Sequence, residues 1–254
     1  MTAQFSILEP LTMKLFLSLI LIAVFARAQD SVTVSLALNA TGVLQTGQTS
    51  RVITNSLAEF SIENKSTDID AQLLYTYGML GKSGNFPNKV LENDFLATIT
   101  SRHLTQWPVY PVVMPMFETS NLREITTRYA ISAGIGRKII SHKTFSVETI
   151  TGIGYEETDY VISGNAYGAR GIVRVQGFYA IPQSGVSLSL ILAYQPSLIR
   201  DNDTRLRGLA KLQLKVVEGL SFSTMLSFIS EDYRDRAREK DNLQLTFGFG
   251  FKIF

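Results

Sequence analysis

The sequence predicts an all-β protein, an antiparallel up-and-down transmembrane β-barrel of about twelve strands. Three observations carry this expectation. Apolar and small or polar residues alternate with period two through most of the chain. Short and long connections alternate between these segments. A secretory signal precedes them all.

The signal lies in MKLFLSLILIAVFARAQD, residues 13–30. Lys14 supplies a positive n-region, Leu15 to Phe25 an apolar run, and Ala26-Arg27-Ala28 a small-x-small cleavage site. The run is too short to span a bilayer comfortably. Residues 1–28 are therefore expected to be an upstream extension plus a cleaved signal, with Met13 as the true start. Residues 29–254 are expected to form the barrel, exported to the outer membrane of a Gram-negative bacterium.

Composition narrows the function classes. The chain has 254 residues, 45% hydrophobic and 18% charged, with a net charge of +2. That charge is too small to argue for nucleic-acid binding. There is no cysteine, which excludes a disulfide framework, a thiolate metal site and a cysteine nucleophile.

Twelve alternating segments follow the signal, near residues 31–40, 51–62, 69–80, 93–103, 107–118, 123–137, 143–156, 170–181, 186–196, 205–216, 219–230 and 242–254. In VSLSLILAY, Val186, Leu188, Leu190, Leu192 and Tyr194 share one face, and Ser187, Ser189, Ile191 and Ala193 the other. In the closing strand, Leu243, Leu245, Phe247, Phe249 and Phe251 oppose Gln244, Thr246, Gly248, Gly250 and Lys252. The facing of 51–62 is ambiguous. The strand 107–118 is expected to be irregular, because Pro111 and Pro115 cannot donate ladder bonds.

Tight connections are expected at 64–68, 105–108, 141–143, 182–185 and 217–219, and long polar ones at 42–50, 81–93, 156–170, 195–203 and 230–241. An even strand count with alternating short turns and long loops puts both termini on the periplasmic side.

The polar face separates a membrane barrel from a soluble one. On a soluble barrel it would meet bulk water and carry many Lys and Glu. Here Ser, Thr, Gly, Gln and Ala dominate, with isolated charges, which suits a crowded, hydrated lumen. Tyr75, Tyr77, Tyr155, Tyr194 and Phe228 fall toward the loop ends of the apolar face, and Trp107, Tyr110 and Tyr179 toward the turn ends. The two groups match the aromatic girdles of a membrane barrel. The opposite reading, a soluble secreted barrel binding an apolar ligand, turns the apolar face inward.

The stretch NDFLATITSRHLTQWPVYPVVMPMFETSNLREITTRYAISAGIGRKII, residues 93–140, places an Asn/Asp before a strand pair, an Arg on the next strand and G-x-G before a tight turn. It resembles the salt-induced YdiY-like outer-membrane family, domain of unknown function 481. FSVETITGIGYEE and the final strands are also similar, so the resemblance spans most of residues 50–254. It implies an outer-membrane barrel with no established activity and no catalytic residues to transfer.

Catalytic chemistry finds little support. His103 ends a strand and His142 lies in a short turn, and neither has a nucleophile or acid in an evident constellation. No enzyme activity, cofactor or metal is expected. GIGR (134–137) and GNAYGARG (164–171) lack the strand-to-helix context and Lys-Ser/Thr ending of a phosphate loop. Glycine on the lumen face of a strand more often marks close backbone approach. RDRAREK (234–240) reads as a solvated surface loop whose Arg234, Arg236 and Arg238 could meet lipopolysaccharide phosphates.

The inward charges are the candidates for function. Glu124, Arg128, Glu148, Arg174, Arg207, Lys211 and Lys215 are expected to line the lumen, with Glu156 as a further acid. They could line a narrow channel for small solutes or ions. They could also pair across the lumen and plug it, leaving a structural or surface-interaction barrel. Expected partners are outer-membrane lipids, lipopolysaccharide and the barrel-assembly machinery, for which the terminal aromatic Phe254 resembles the recognition signal. The protein is expected to be monomeric and not to bind nucleic acid.

Overall fold

A computed structural model describes residues 32–45, 49–82, 89–201, 203–232 and 241–253. Twelve strands follow one another. The first six are β1 (Thr33–Gln45), β2 (Thr49–Glu63), β3 (Thr67–Lys82), β4 (Lys89–His103), β5 (Tyr110–Ser120) and β6 (Ile125–Ser141). The rest are β7 (Phe145–Tyr160), β8 (Gly164–Ile181), β9 (Val186–Pro196), β10 (Thr204–Val217), β11 (Leu220–Glu231) and β12 (Asp241–Lys252). Each pairs antiparallel with its sequence neighbours, and β12 pairs with β1 to close the ring. Closure removes both sheet edges, so strand backbone groups find partners within the wall, the condition for crossing hydrocarbon with strands.

The seam between β1 and β12 runs from Ala37↔Lys252 to Gly42↔Phe247. Gly248 faces Thr41 there, and a Cβ on it would run into the Ala40–Thr41 backbone. Beside it, the buried Thr41 and Thr246 hydroxyls lie 2.7 Å apart, and Asn55 Nδ2 donates to Thr246. Absence of a side chain at 248 lets the last strand approach the first closely enough for these bonds.

Alternation sorts the side chains as the pattern requires. Leu188, Leu190, Leu192, Tyr194, Leu243, Leu245, Phe247, Phe249 and Phe251 are exposed on the outside, whereas Ser223, Gln244 and Thr246 are buried inside. This orientation contradicts the soluble reading, in which the apolar face would line the interior. The facing of β2 also resolves: Ile53, Asn55 and Leu57 are buried, with Asn55 bonded to the inward Thr246. Tyr75, Tyr155 and Tyr194 are exposed toward one end of the outer wall, and Trp107 and Tyr179 toward the other.

Three expectations need correction. First, Tyr110 does not join the outer girdle. It points inward, is 1% exposed and packs its ring against Gly136, where a Cβ would overlap the ring. The parity set by β5 pairing with β6 places it inside, and its hydroxyl finds a carboxylate there. Second, the fifth strand begins at Tyr110, because Thr105 to Val109 form the preceding turn, with Leu104 in the left-handed region. Its irregularity sits beside Pro115: the β4–β5 ladder skips from Thr98↔Met116 to Ser101↔Val113, consistent with a residue that has no N–H.

Third, residues 156–170 are not a long loop. β7 runs to Tyr160 and β8 starts at Gly164, paired throughout from Tyr160↔Gly164. Gly164 supplies the positive φ for the tight turn. A membrane strand needs only about 9–11 residues, so β7 and β8, with 16 and 18, extend well past the bilayer. Residues 1–31, the loop 233–240 and Phe254 lie outside the described residues, so the signal, the loop arginines and the terminal signal remain sequence expectations.

Candidate functional site: the barrel lumen

The interior divides into a loop end, where β5–β6, β7–β8 and β11–β12 connect, and a turn end, which holds β1's start and β12's finish. Inward residues from six strands converge at the loop end. They are Glu118 on β5, Arg128 on β6, Glu156 on β7, Arg170 on β8, Arg205 and Arg207 on β10 and Glu231 on β11. Arg123 joins from the β5–β6 turn and Asp203 from just before β10.

Arg128 is the hub. Its Nη1 lies 2.8 Å from Glu118 and its Nη2 2.6 Å from Glu231. It also donates to Thr158 and to the Tyr160 hydroxyl. Arg205 pairs with Glu156 at 2.8 Å and Glu231 at 2.9 Å. Arg170 joins Glu156 at 3.0 Å and Asp203 at 2.8 Å. Arg207 reaches Glu118 at 2.6 Å, and Arg123 pairs with both Glu118 and Glu231.

Strands β6 and β11, like β5 and β10, lie on opposite sides of the ring. The Arg128–Glu231 and Arg207–Glu118 pairs therefore cross the lumen. Arg128 and Arg205 are 0% exposed and Glu118 is 1% exposed, so the crossing is dry. Five guanidinium groups against four carboxylates leave a formal excess of one positive charge. Desolvating so many ions is costly unless each is paired and hydrogen-bonded. Four of the five planar guanidinium forks, Arg207 excepted, bridge two carboxylates at once, while Nε of Arg205 and of Arg207 stays buried without a hydrogen-bond partner. A smaller cluster adjoins: Glu92, fully buried, accepts from Arg51 and from Gln244 at 2.6 Å. Gly78 makes room for it.

Below this plug the lumen wall turns apolar. Leu57, Leu74, Leu96, Met114, Met116 and Ile172 line most of a cavity of about 160 Å³, which Arg174, Gln195 and Arg207 also border. Toward the turn end the lumen widens into a polar vestibule of about 560 Å³. Here Glu148 accepts from Arg102 at 2.8 Å, from the Tyr110 hydroxyl at 2.5 Å and from Gln176. Arg102 also bonds Asp70 at 2.5 Å, Lys138 pairs with Asp68 at 3.5 Å, and Lys211 pairs with Glu59. Arg174 donates through Nη1 to Thr100 at 2.9 Å.

The seven sequence-predicted lumen residues separate. Arg128 and Arg207 stand in the plug, and Glu148, Arg174 and Lys211 in the vestibule. Glu124 does not line the lumen: it lies in the β5–β6 turn with φ 55°, its backbone carbonyl accepting from Val161. A bulge between Ile125 and Thr127 shifts parity there, which alternation could not register. Lys215 has inward parity but sits exposed at the turn-end rim beside Gly185.

Most of the plug escaped the sequence reading. Glu118 stood on the strand whose proline content blurred its facing, and Arg170, Asp203 and Glu231 stood in segments read as loops. Arg205 shares the parity of Arg207, and that signal could have found it. The histidines stand apart from all of this. His103 Nε2 lies 2.9 Å from Ser101 Oγ, and His142 Nδ1 lies 2.9 Å from Thr144 Oγ1, all exposed at the turn end.

Among proteins of curated function, none matches the sequence. Solved structures do. The NanC porin is 7% identical, with 85% of this chain and 98% of the porin covered and a TM-score of 0.52. An outer membrane channel from Pseudomonas putida F1 is 11% identical over 88% of this chain and 96% of that one, with a TM-score of 0.47. The translocator domain of the autotransporter NalP from Neisseria meningitidis is 10% identical over 94% and 95%, with a TM-score of 0.45. At 7% identity the likeness to the porin is one of fold: a closed barrel of the outer-membrane type. A family model described as "Protein of unknown function, DUF481" matches residues 38–253, and the chain belongs to that family.

Proposed function

We propose that the protein is a monomeric barrel of the Gram-negative outer membrane whose lumen is closed, a structural or surface-interaction barrel rather than an open pore. Its short turns and termini face the periplasm and the plug lies toward the cell exterior. The observation that carries this reading is the dry ion-pair crossing of Arg128 to Glu231 and Arg207 to Glu118. Hydrated ions need a continuous wet path, and the Arg128–Glu231 crossing, 0% and 6% exposed, obstructs it at that level.

No catalytic role is assigned: Ser101 and His103 approach each other, but among the described residues no carboxylate orients the ring. Lipids and lipopolysaccharide are the natural partners of the outer wall. Phe254 serves as the assembly signal, so deleting it should lower the yield of folded barrel more than deleting any one residue of 234–240.

A second reading, a narrow channel for small solutes, is favoured by the vestibule, which already opens half of the lumen to one side. Conductance of the refolded protein in planar bilayers separates the two. The plugged reading expects no steady conductance from the wild type and openings once Arg128 and Glu231 are both replaced by alanine. Steady wild-type conductance with ion selectivity would sink it.

A further inference from the structure

One cation of the vestibule, Arg174, has no carboxylate in direct contact, although Glu148 and Asp70 act on it at longer range. Each other basic side chain facing the cavity has an acid: Arg102 has Asp70 and Glu148, Lys138 has Asp68, and Lys211 has Glu59. Among the described residues no carboxylate lies within 4.0 Å of Arg174. The reason is that the nearby acid is engaged elsewhere. Glu148 on β7, diagonal to Arg174 across the β7–β8 ladder, has Oε1 taken by Arg102 and Tyr110 and Oε2 by Gln176.

The geometry of Arg174 is as informative as its charge. Both of its described bonds, to Thr100 Oγ1 and Met114 Sδ, use Nη1. Its Nε is buried and without a partner. The Nε–Nη2 edge of the guanidinium, which presents two parallel N–H groups, therefore has no hydrogen-bond partner among the described residues. Arg102, 3% exposed and lining the same cavity, likewise keeps a buried Nη2 without a partner. Unsatisfied buried donors cost free energy, and a planar two-oxygen acceptor is the shape that satisfies a guanidinium edge.

We infer that the turn-end vestibule binds the carboxylate of a small organic acid on the Nε–Nη2 edge of Arg174. The ligand enters from the turn end, past the exposed Glu63 at the mouth. The cavity of about 560 Å³ accommodates a molecule of hexose size. Thr98, Gln72 and Ser189 offer hydrogen bonds to hydroxyl groups along it. Binding needs only this half of the lumen, so it does not depend on whether the plug conducts.

Calorimetric titration of the refolded full-length chain in detergent tests the assignment with D-gluconate, with sorbitol as its near-isosteric neutral counterpart, and with inorganic phosphate. The expected result is saturable binding of gluconate, at least tenfold weaker binding of sorbitol and phosphate, and at least a tenfold loss of gluconate affinity in Arg174→Gln. Arg174→Lys should fall between the two, since it keeps the charge and loses the fork. Heat-modifiable gel mobility confirms that each variant is folded, and Lys215→Gln, outside the site, should bind as the wild type does. No gluconate binding, equal binding of sorbitol, preference for phosphate, or undiminished affinity in folded Arg174→Gln would each overturn the inference.

Discussion

At the loop end of the lumen, Arg128 and Arg205 are wholly buried and each joins at least two carboxylates. At the turn end, Asp70 keeps 43% of its side chain exposed although it pairs with an arginine too. Similar residue types therefore work under different solvation. In the plug, charges come in a shared network because Arg128, Arg205 and Glu118 have almost no water to fall back on. In the vestibule the Arg102–Glu148 pair is buried too, but Asp70 keeps contact with water, which screens its share of the interaction. Burial, rather than the number of ion pairs, decides what a pair is worth.

That contrast can be broken by removing one acid from each end. Glu118→Ala leaves Arg123, Arg128 and Arg207 facing a lost partner in a dry site, and should destabilise the barrel by about 3–5 kcal/mol. Asp70→Asn, in the screened half, should cost no more than about 1 kcal/mol. Urea-dependent unfolding in detergent or lipid reads both. Comparable losses would show that the two ends are not differently solvated.

A second variant sharpens the distinction between lumen and outer wall. Phe247→Arg places a charge on the outward face at mid-strand and should cost about 2–4 kcal/mol in a bilayer. A loss below 1 kcal/mol in the same unfolding assay would argue that this face does not meet hydrocarbon.

Smaller again is the effect of Tyr110→Phe. It removes one of the three donors to Glu148 while keeping the ring over Gly136, and should cost about 1–2 kcal/mol. A neutral result would mean that Arg102 and Gln176 satisfy Glu148 unaided. The smallest effect belongs to Lys215→Gln at the exposed rim, expected within about 0.5 kcal/mol of the wild type.

Strand number, direction and facing were legible because period two is a local property. A residue's neighbours two places away share its surroundings, so Leu243 to Phe251 announce their lipid face without any partner strand. Legibility failed where that locality fails. Pro111 and Pro115 interrupt the pattern of β5, so Tyr110 and Glu118 were misplaced or passed over. The bulge at the start of β6 shifts parity for Glu124. Polar ends of long strands, such as Glu156 to Tyr160, resemble loops because beyond the bilayer the outer face no longer needs to be apolar.

The sequence by itself determined the closed all-β wall, its inside and its outside, since alternation records the sorting of side chains between lipid and lumen. Only the tertiary structure decided which inward charges meet. Arg128 and Glu231 are 103 residues apart in the chain, and their pairing depends on ring closure, strand register and the reach of two side chains across the lumen. The same closure leaves Arg174 without a carboxylate in direct contact. No local pattern encodes either outcome, because both are set by residues that come together only when β12 pairs with β1.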